Sequence, residues 1–325
     1  MDNFLDKIFF RSRNLDYISQ NLINLTNQTP AKRIFEALNT YSENSEVRYV
    51  GGCVRKIIKK EIVDDIDLAT NLKPNEVCDA LKKKDINYYE SGIEHGTITA
   101  IIDDYKYEIT SLRKDVSTDG RHAKVEFSSD WKEDAARRDF SINSIYSDKN
   151  GNLFDPYNGK KDLESGNINF IGDSENRIKE DYLRILRYVR FFINYSNQTH
   201  DVNIIKKIKK NIGGVSKLSS ERLLDEFKKL TRSNAFLKIF NDKVSLELIE
   251  IIFPQLKNLE NFKKLNSYAI DNLSKIDFIF LLSLLIVDGT DNTEYFLYKF
   301  NISKKDQKRL KLINLFYKEK ITIKN

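Results

Sequence analysis

Two acidic side chains separated by a single residue, Asp65 and Asp67, sit in the segment Asp-Ile-Asp-Leu over residues 65–68. That alternation has the two-residue period of a half-buried strand, so both carboxylates leave from one face while Ile66 and Leu68 enter a core. Two like charges this close repel, and a divalent cation compensates them. A solvent-facing strand edge, with Asp64 extending an acidic turn, is the competing reading. Position in the chain favours the metal: the carboxylates follow Gly51 and Gly52, which lie between an apolar strand, Val47 to Val50, and a helix from Val54 to about Lys60. Glycine lets a phosphate reach the backbone, and a helix N-terminus offers unpaired N–H groups. A plain chain reversal would use the same residues. Arg55, one turn into the helix, adds a charged fork beside this site.

Glu108 lies between Tyr107 and Ile109 and points away from them, on the second strand of a hairpin formed by Thr97 to Ile102 and Tyr107 to Ser111 around Asp103-Asp104. It is a candidate third carboxylate, with a surface glutamate as the alternative. Metal ions held by such a set would activate an RNA 3′-hydroxyl, align it on the α-phosphorus of a nucleoside triphosphate and neutralise the leaving pyrophosphate. The three histidines, His95, His122 and His200, have no zinc spacing, and Cys53 and Cys78 are the only cysteines and read as reduced thiols. Any metal is therefore held by carboxylates, which favours Mg2+.

The elements that must position these groups divide the 325 residues into unlike halves. Thr29 and Pro30 open a helix from about Ala31 to Tyr41, and the strands and turns above follow, so the first half is α/β in character. From about Asp181 the periodicity is helical with few glycines, which places a boundary near residues 150–175. Val202 to Ile212, closed by Gly213-Gly214, turns Ile204, Ile205, Ile208 and Ile212 to one side, and Ser303 to Lys320 repeats the design with Leu310, Ile313 and Phe316 or Tyr317. With 40% hydrophobic and 31% charged residues the chain reads as globular, and no apolar run has membrane-spanning length. The N-terminal MDNFLDKIFFRSR lacks the uninterrupted apolar core of a secretory signal, so the expected location is cytoplasmic. A net charge of +6 suits an anionic partner such as RNA, although a solvated lysine-rich surface produces the same number.

The segments VRYVGGCVRK, DDIDLAT, HGT at 95–97, EITSLR, DGRHAKVEF, RRDFSINS, FDPYNGKKDL and RIKEDYLRILRYVRF, co-linear over about residues 47–192, resemble the ordered motifs of the class II tRNA nucleotidyltransferase and bacterial poly(A) polymerase family, within the polymerase β-like superfamily. The resemblance is strongest to the CCA-adding branch. It implies an α+β chain: a polymerase β-like head with a small mixed sheet over residues 1–150, an all-α neck over 151–205 for base selection, and a helical body and short tail over 206–325 that bind tRNA. It implies metal ligation by Asp65 and Asp67, triphosphate contacts from Gly52 and Arg55, and sugar and phosphate contacts from Arg138, Asp139 and Asn143. The i, i+4 spacing of Asp139 and Asn143 would put both on one helix face. Departures are Lys56 where the family usually has Asp, and Ser141 and Ser144 where Thr and Ala are usual. The segment from Leu112 to Val125 matches the family's flexible loop, associated with the switch from C to A addition.

The run Glu180-Asp181-Tyr182-Leu183-Arg184 matches the family's protein template for the incoming base, with Arg187 and Arg190 matching arginines near the nucleotide. Cytosine and adenine each show an amino donor beside a ring-nitrogen acceptor, so an accepting Asp next to a donating Arg satisfies both. Uracil and guanine oppose acceptor to acceptor and donor to donor. Asp181 and Arg184, three apart on a helix, would be neighbours; an exposed i, i+3 salt bridge is the plain alternative. The expected activity is template-independent addition of C, C and A to a tRNA 3′ end from CTP and ATP. A poly(A) polymerase, a partial CC- or A-adding enzyme and a noncatalytic RNA-binding protein are the alternatives.

Overall fold

The computed structural model describes residues 17–118, 123–233 and 235–324. The readings on the N-terminal segment 1–13 and on Asp119, Gly120, Arg121 and His122 lie outside the described residues. Two compact units emerge, Met1–Asp173 and Ser174–Asn325.

In the first unit, helices α1 (residues 17–28) and α2 (Ala31–Asn39) precede strand β1 (Val47–Val50). Helix α2 stops two residues short of Tyr41: the Asn39 side-chain oxygen accepts the Val47 N–H at 2.9 Å and directs the chain into the sheet. Then come α3 (Gly52–Ile58), β2 (Ile66–Thr70), α4 (Pro74–Lys82), β3 (Asn87–Gly92), β4 (Thr97–Ile102) and β5 (Tyr105–Ser111). Strands β6 (Arg113–Thr118) and β7 (Ala123–Phe127) form their own antiparallel ladder, so the segment expected to be a flexible loop carries a two-stranded ribbon. Helix α5 (Trp131–Ala136), strands β8 (Tyr146–Ser147) and β9 (Leu153–Phe154) and helix α6 (Gly159–Ser165) complete the unit.

The main sheet has the order β3-β4-β5-β2-β1-β8-β9, with β2 and β5 parallel and the other pairs antiparallel. It is the mixed sheet expected for the head. Strand β2 is central: Tyr49 on β1 faces Leu68, and Asp67 faces Glu108 on β5. Tyr49, Leu68, Ile98 and Ile109 pack with Leu22, Phe35, Val54 and Leu81 in one apolar core, which holds the sheet against its helices.

The second unit is helical throughout its described residues: α7 (Ser174–Glu180), α8 (Leu183–Tyr195), α9 (Val202–Asn211), α10 (Ser220–Thr231), α11 (Lys243–Ile252), α12 (Ser267–Asp271), α13 (Phe278–Ile286), α14 (Asn292–Lys299) and α15 (Lys304–Lys324), with 3-10 turns between. The Asp201 carboxylate caps α9 by accepting the Asn203 and Ile204 N–H groups. Two expectations change. Helix α9 does not close on a left-handed glycine: it runs into a 3-10 turn, Ile212–Lys217, and neither Gly213 nor Gly214 has positive φ. On α15, Leu310 is buried, but Phe316 and Tyr317 are 61% and 42% exposed, because the Leu310–Asn314 side is the one that is buried where α13 and α14 pack.

Gly159 is required by packing. A Cβ on Gly159 would stand 2.1 Å from the Ser141 carbonyl oxygen, so the start of α6 rests directly on the backbone of the turn that carries Asn143. Gly159→Ala should lower unfolding free energy by about 1–3 kcal/mol, the usual range for overpacking, measured by denaturant titration; an unchanged midpoint would refute this contact.

Candidate active site

The centre of the site is the turn from β1 into α3. Gly51 has φ +66° and ψ −115°, a conformation strained for any side chain bearing a Cβ, and its N–H donates to the Ile145 carbonyl at 3.2 Å. A methyl group on Gly52 would stand 3.7 Å from the Asp67 Oδ2 and 4.0 Å from an Arg55 guanidinium nitrogen; one on Gly51 would stand 3.7 Å from Arg138 Nη1. The glycine turn, one acidic side chain and two guanidiniums therefore meet at one place.

Asp67 lies on β2 between the buried Ile66 and Leu68. Asp65 stands one residue before the strand, which begins at Ile66 rather than at Asp65. The reason is local: the Asp65 N–H donates to the Asp64 carboxylate at 3.0 Å and is taken out of the ladder. Lys56 holds that same Asp64 oxygen in an ion pair. Burial pushes the Asp67 carboxyl up to about 6, and Glu108 and Asp65 add to the rise, against the opposing pull of Arg138 and Arg55. Glu108 is exposed between buried Tyr107 and Ile109, as its alternation required. Among the described residues no group of three His, Cys, Asp or Glu side chains is arranged to hold a metal by itself. The donor set of Asp65 and Asp67 fits a hard cation that completes its shell with water and substrate phosphates, and the raised carboxyl of Asp67 is the unbalanced charge such a cation relieves.

The guanidiniums are held from behind. Arg55 is buried and donates to the Asn143 side-chain oxygen, while Asn143 Nδ2 donates to Asp139 Oδ1 at 2.9 Å. Asp139 and Asn143 thus touch as the spacing suggested, but they are not on a helix. Phe140 is extended and bridges Phe170, and a 3-10 turn, Ser141–Asn143, brings Asn143 back. Asp134 on α5, 1% exposed, accepts from Arg137 at 2.6 Å, from Arg138 at 3.1 Å and from the Tyr146 hydroxyl at 2.7 Å. Burial alone would push the Asp134 carboxyl up; Arg138 and Arg137 outweigh it and bring it down to about 2. Ser141 Oγ donates to Asp162 Oδ2 at 2.5 Å, and Ser144 Oγ to the Ser141 carbonyl at 2.9 Å, so both departures from the usual residues have structural partners.

In the second unit the base-template run straddles a helix break. Glu180 ends α7 and Asp181 and Tyr182 connect it to α8, so Asp181 and Arg184 are not on one continuous helix. Asp181 Oδ1 accepts the Leu183 N–H at 3.1 Å and Oδ2 accepts from Arg222 at 2.7 Å. Arg184 donates to Glu180 and to the Arg177 carbonyl, both at 2.7 Å. Arg190 pairs with the buried Glu226, with Arg187 3.8 Å from the same carboxylate. The lysines of α9 are partly neutralised: Lys209 pairs with Glu247 and Lys210 with Glu175.

Residues 47–169 match the model of the poly A polymerase head domain, and residues 201–260 the model of a probable RNA and SrmB-binding site of polymerase A. The human mitochondrial CCA tRNA nucleotidyltransferase 1 is 39% identical over 249 residues, 75% of this chain and 57% of that protein. The CCA-adding enzyme of Staphylococcus haemolyticus is 34% identical over 232 residues, 71% of this chain and 56% of that protein.

The chain belongs to the tRNA nucleotidyltransferase/poly(A) polymerase family.

It spans about half the length of the curated relatives it matches. A solved structure of the Bacillus stearothermophilus CCA-adding enzyme in complex with CTP shares the fold at TM-score 0.67 and 24% identity, covering 87% of this chain and 68% of that one. A tRNA nucleotidyltransferase complexed with a primer tRNA and an incoming ATP analog does so at TM-score 0.65 and 23% identity, over 90% and 83%. In this tRNA nucleotidyltransferase/poly(A) polymerase family member, the head brings Gly51, Gly52, Arg55, Asp67, Arg138, Asp139 and Asn143 into one connected set, with Asp65 and Glu108 beside Asp67. Sequence reasoning passed over Asp134 and Tyr146. Asp134 precedes Arg137 and Arg138 by three and four residues, a helical pairing signal that was available; Tyr146 lies on a strand beyond any local pattern.

The raised carboxyl of Asp67 makes a stability prediction. An unfolded aspartate titrates near about 4, so this group's contribution to stability is complete below that value and lost as pH rises through about 6. Ionised Asp67 then costs on the order of 1–3 kcal/mol at neutral pH. Without divalent cations, Asp67→Asn should melt above the native protein at pH 8, and the gap should shrink towards pH 4 and on adding Mg2+. A gap independent of both pH and metal would contradict the burial argument.

Proposed function

We propose that this chain adds C, C and A to the 3′ end of tRNA from CTP and ATP, without a nucleic-acid template, and releases pyrophosphate. The observation that carries the reading is the glycine turn flanked by Asp67, Arg55 and Arg138, supported by relatives named as CCA-adding enzymes. Arg55 and Arg138 bind and orient the triphosphate at the turn, where backbone N–H groups face the phosphates. Asp65 and Asp67 hold Mg2+, and Glu108 adds negative charge beside them. When bound, the divalent ions supply Lewis-acid activation of the 3′-hydroxyl and neutralise charge on the triphosphate. Asp181 and Arg184, with Glu180, Arg187 and Arg190 around them, select cytosine and adenine by the donor and acceptor pattern of the bases.

Charge pairing favours α15 over α9 for the RNA backbone. Lys304, Lys305, Lys308 and Lys311 are exposed on α15, whereas Lys209 and Lys210 on α9 are engaged by acids. Replacing Lys304, Lys308 and Lys311 by Glu should weaken tRNA binding and flatten its dependence on log salt concentration, measured by filter binding. An unaltered salt slope would remove α15 from the interface.

Transcripts of tRNA ending before C, before the second C and before A, each offered one nucleotide, decide the activity. Two cytidines and then one adenosine, and no further, are expected. Unlimited A extension of any RNA would identify a poly(A) polymerase instead, and a stop after two cytidines a partial enzyme. Asp65→Ala with Asp67→Ala should abolish incorporation; activity at the native rate would refute the metal assignment and, with it, the site.

A further inference from the structure

We infer that Asp134 is a positioning residue for the triphosphate site, setting the orientation of the Arg138 guanidinium so that its Nη1 corner faces the glycine turn. This rests on the reading above, which makes that turn the phosphate cradle, and goes beyond it by naming the residue that builds one wall of it.

The geometry is specific. Asp134 Oδ2 accepts from Arg138 Nε at 3.2 Å and Nη2 at 3.1 Å, so the carboxylate grips one edge of the guanidinium. The Tyr146 hydroxyl locks the same edge, donating to Asp134 Oδ2 at 2.7 Å while accepting from Arg138 Nε at 2.9 Å. On the other side of the fork, Nη1 donates to the Asn143 carbonyl at 3.4 Å and lies 3.7 Å from where a Gly51 methyl would be. An arginine has several rotatable bonds, and a planar fork placed by one edge is useful to an anion only at the other. Asp134 Oδ1 meanwhile accepts from Arg137 Nε at 2.9 Å and Nη2 at 2.6 Å. One carboxylate thus holds two neighbouring guanidiniums, beside a turn that also has Arg55.

A merely structural role would predict something different. If Asp134 only neutralised the two half-buried arginines, its loss would lower the melting temperature and the fraction of folded enzyme, with KM unchanged. If it positions Arg138, its loss weakens binding of the triphosphate irrespective of the base.

The test uses the full chain, native and as Asp134→Asn, Tyr146→Phe, Arg138→Gln and the Asp134→Asn/Arg138→Gln double variant. Calorimetric titration with Mg·CTP and Mg·ATP, and competition by pyrophosphate, read binding without requiring transfer. Asp134→Asn should weaken both nucleotides and pyrophosphate in parallel, each by about 10-fold or more, with the preference for CTP and ATP over UTP retained. Tyr146→Phe should do the same by a few-fold. The double variant should bind no worse than Arg138→Gln alone, because both changes act through one guanidinium. Additive losses, or native affinity in folded Asp134→Asn, would overturn the inference. Should Asp134→Asn fail to fold, Tyr146→Phe decides: native affinity there would overturn it as well. A native protein that binds nucleotide but transfers none to tRNA would instead remove the functional reading and leave the positioning result standing.

Discussion

The site depends on a carboxylate kept where it is costly to ionise. Asp67 projects from the central strand of the head beside Gly52, with Glu108 opposite on the neighbouring strand, and burial raises its carboxyl well above the ordinary range. A cation at that spot relieves the conflict at neutral pH, and a glycine leaves room for a charged ligand to approach it. The strand order serves this arrangement. β2 lies between β1, which delivers the glycine turn, and β5, which delivers Glu108, so three elements distant in sequence converge on one carboxylate.

Around that centre, polar side chains are arranged in layers. Arg55 and Arg138 flank the turn, and hydrogen-bonding groups lie behind them: Asn143 and then Asp139 behind Arg55, Asp134 and Tyr146 behind Arg138. Long flexible cations acquire fixed directions because buried polar side chains hold them. The second unit follows the same rule within itself, where Arg222 holds Asp181 and Glu226 holds Arg190. In both units a charged side chain of the candidate site is held by a polar side chain behind it.

Much of the head was legible in the chain. The Asp-Ile-Asp-Leu alternation predicted the burial of Ile66 and Leu68, although Ala69 and Thr70 are buried as well, and Gly51-Gly52 between an apolar strand and a helix marked the turn. Glu108 between buried Tyr107 and Ile109 followed from the same period of two. These readings succeed because a strand's faces and a turn's backbone are set by residues within a few positions of one another. The readings that changed share a cause. Asp139 and Asn143 have helical spacing but share no helix: Asp139 precedes the extended Phe140, which bridges Phe170, and only Asn143 sits on the 3-10 turn. The Asp181–Arg184 pair lost its helix to a break at the end of α7, and Phe316 on α15 is exposed because α13 and α14 pack where Leu310 and Asn314 are buried.

The residues pointed to a kind of chemistry: oxygen ligands for a hard cation, a backbone turn open to phosphate and, through the resemblance, a run of donors and acceptors suited to two of the four bases. Tertiary structure decided which of the many charges take part. Fifty-four lysines and arginines face forty-eight acids in this chain, and composition cannot say which are neutralised. Pairing between side chains as far apart in sequence as Lys209 and Glu247, or Arg190 and Glu226, is a matter of packing. The physical reason is range: backbone geometry is set locally, whereas the strength of a charge depends on burial and partners that only the folded chain supplies.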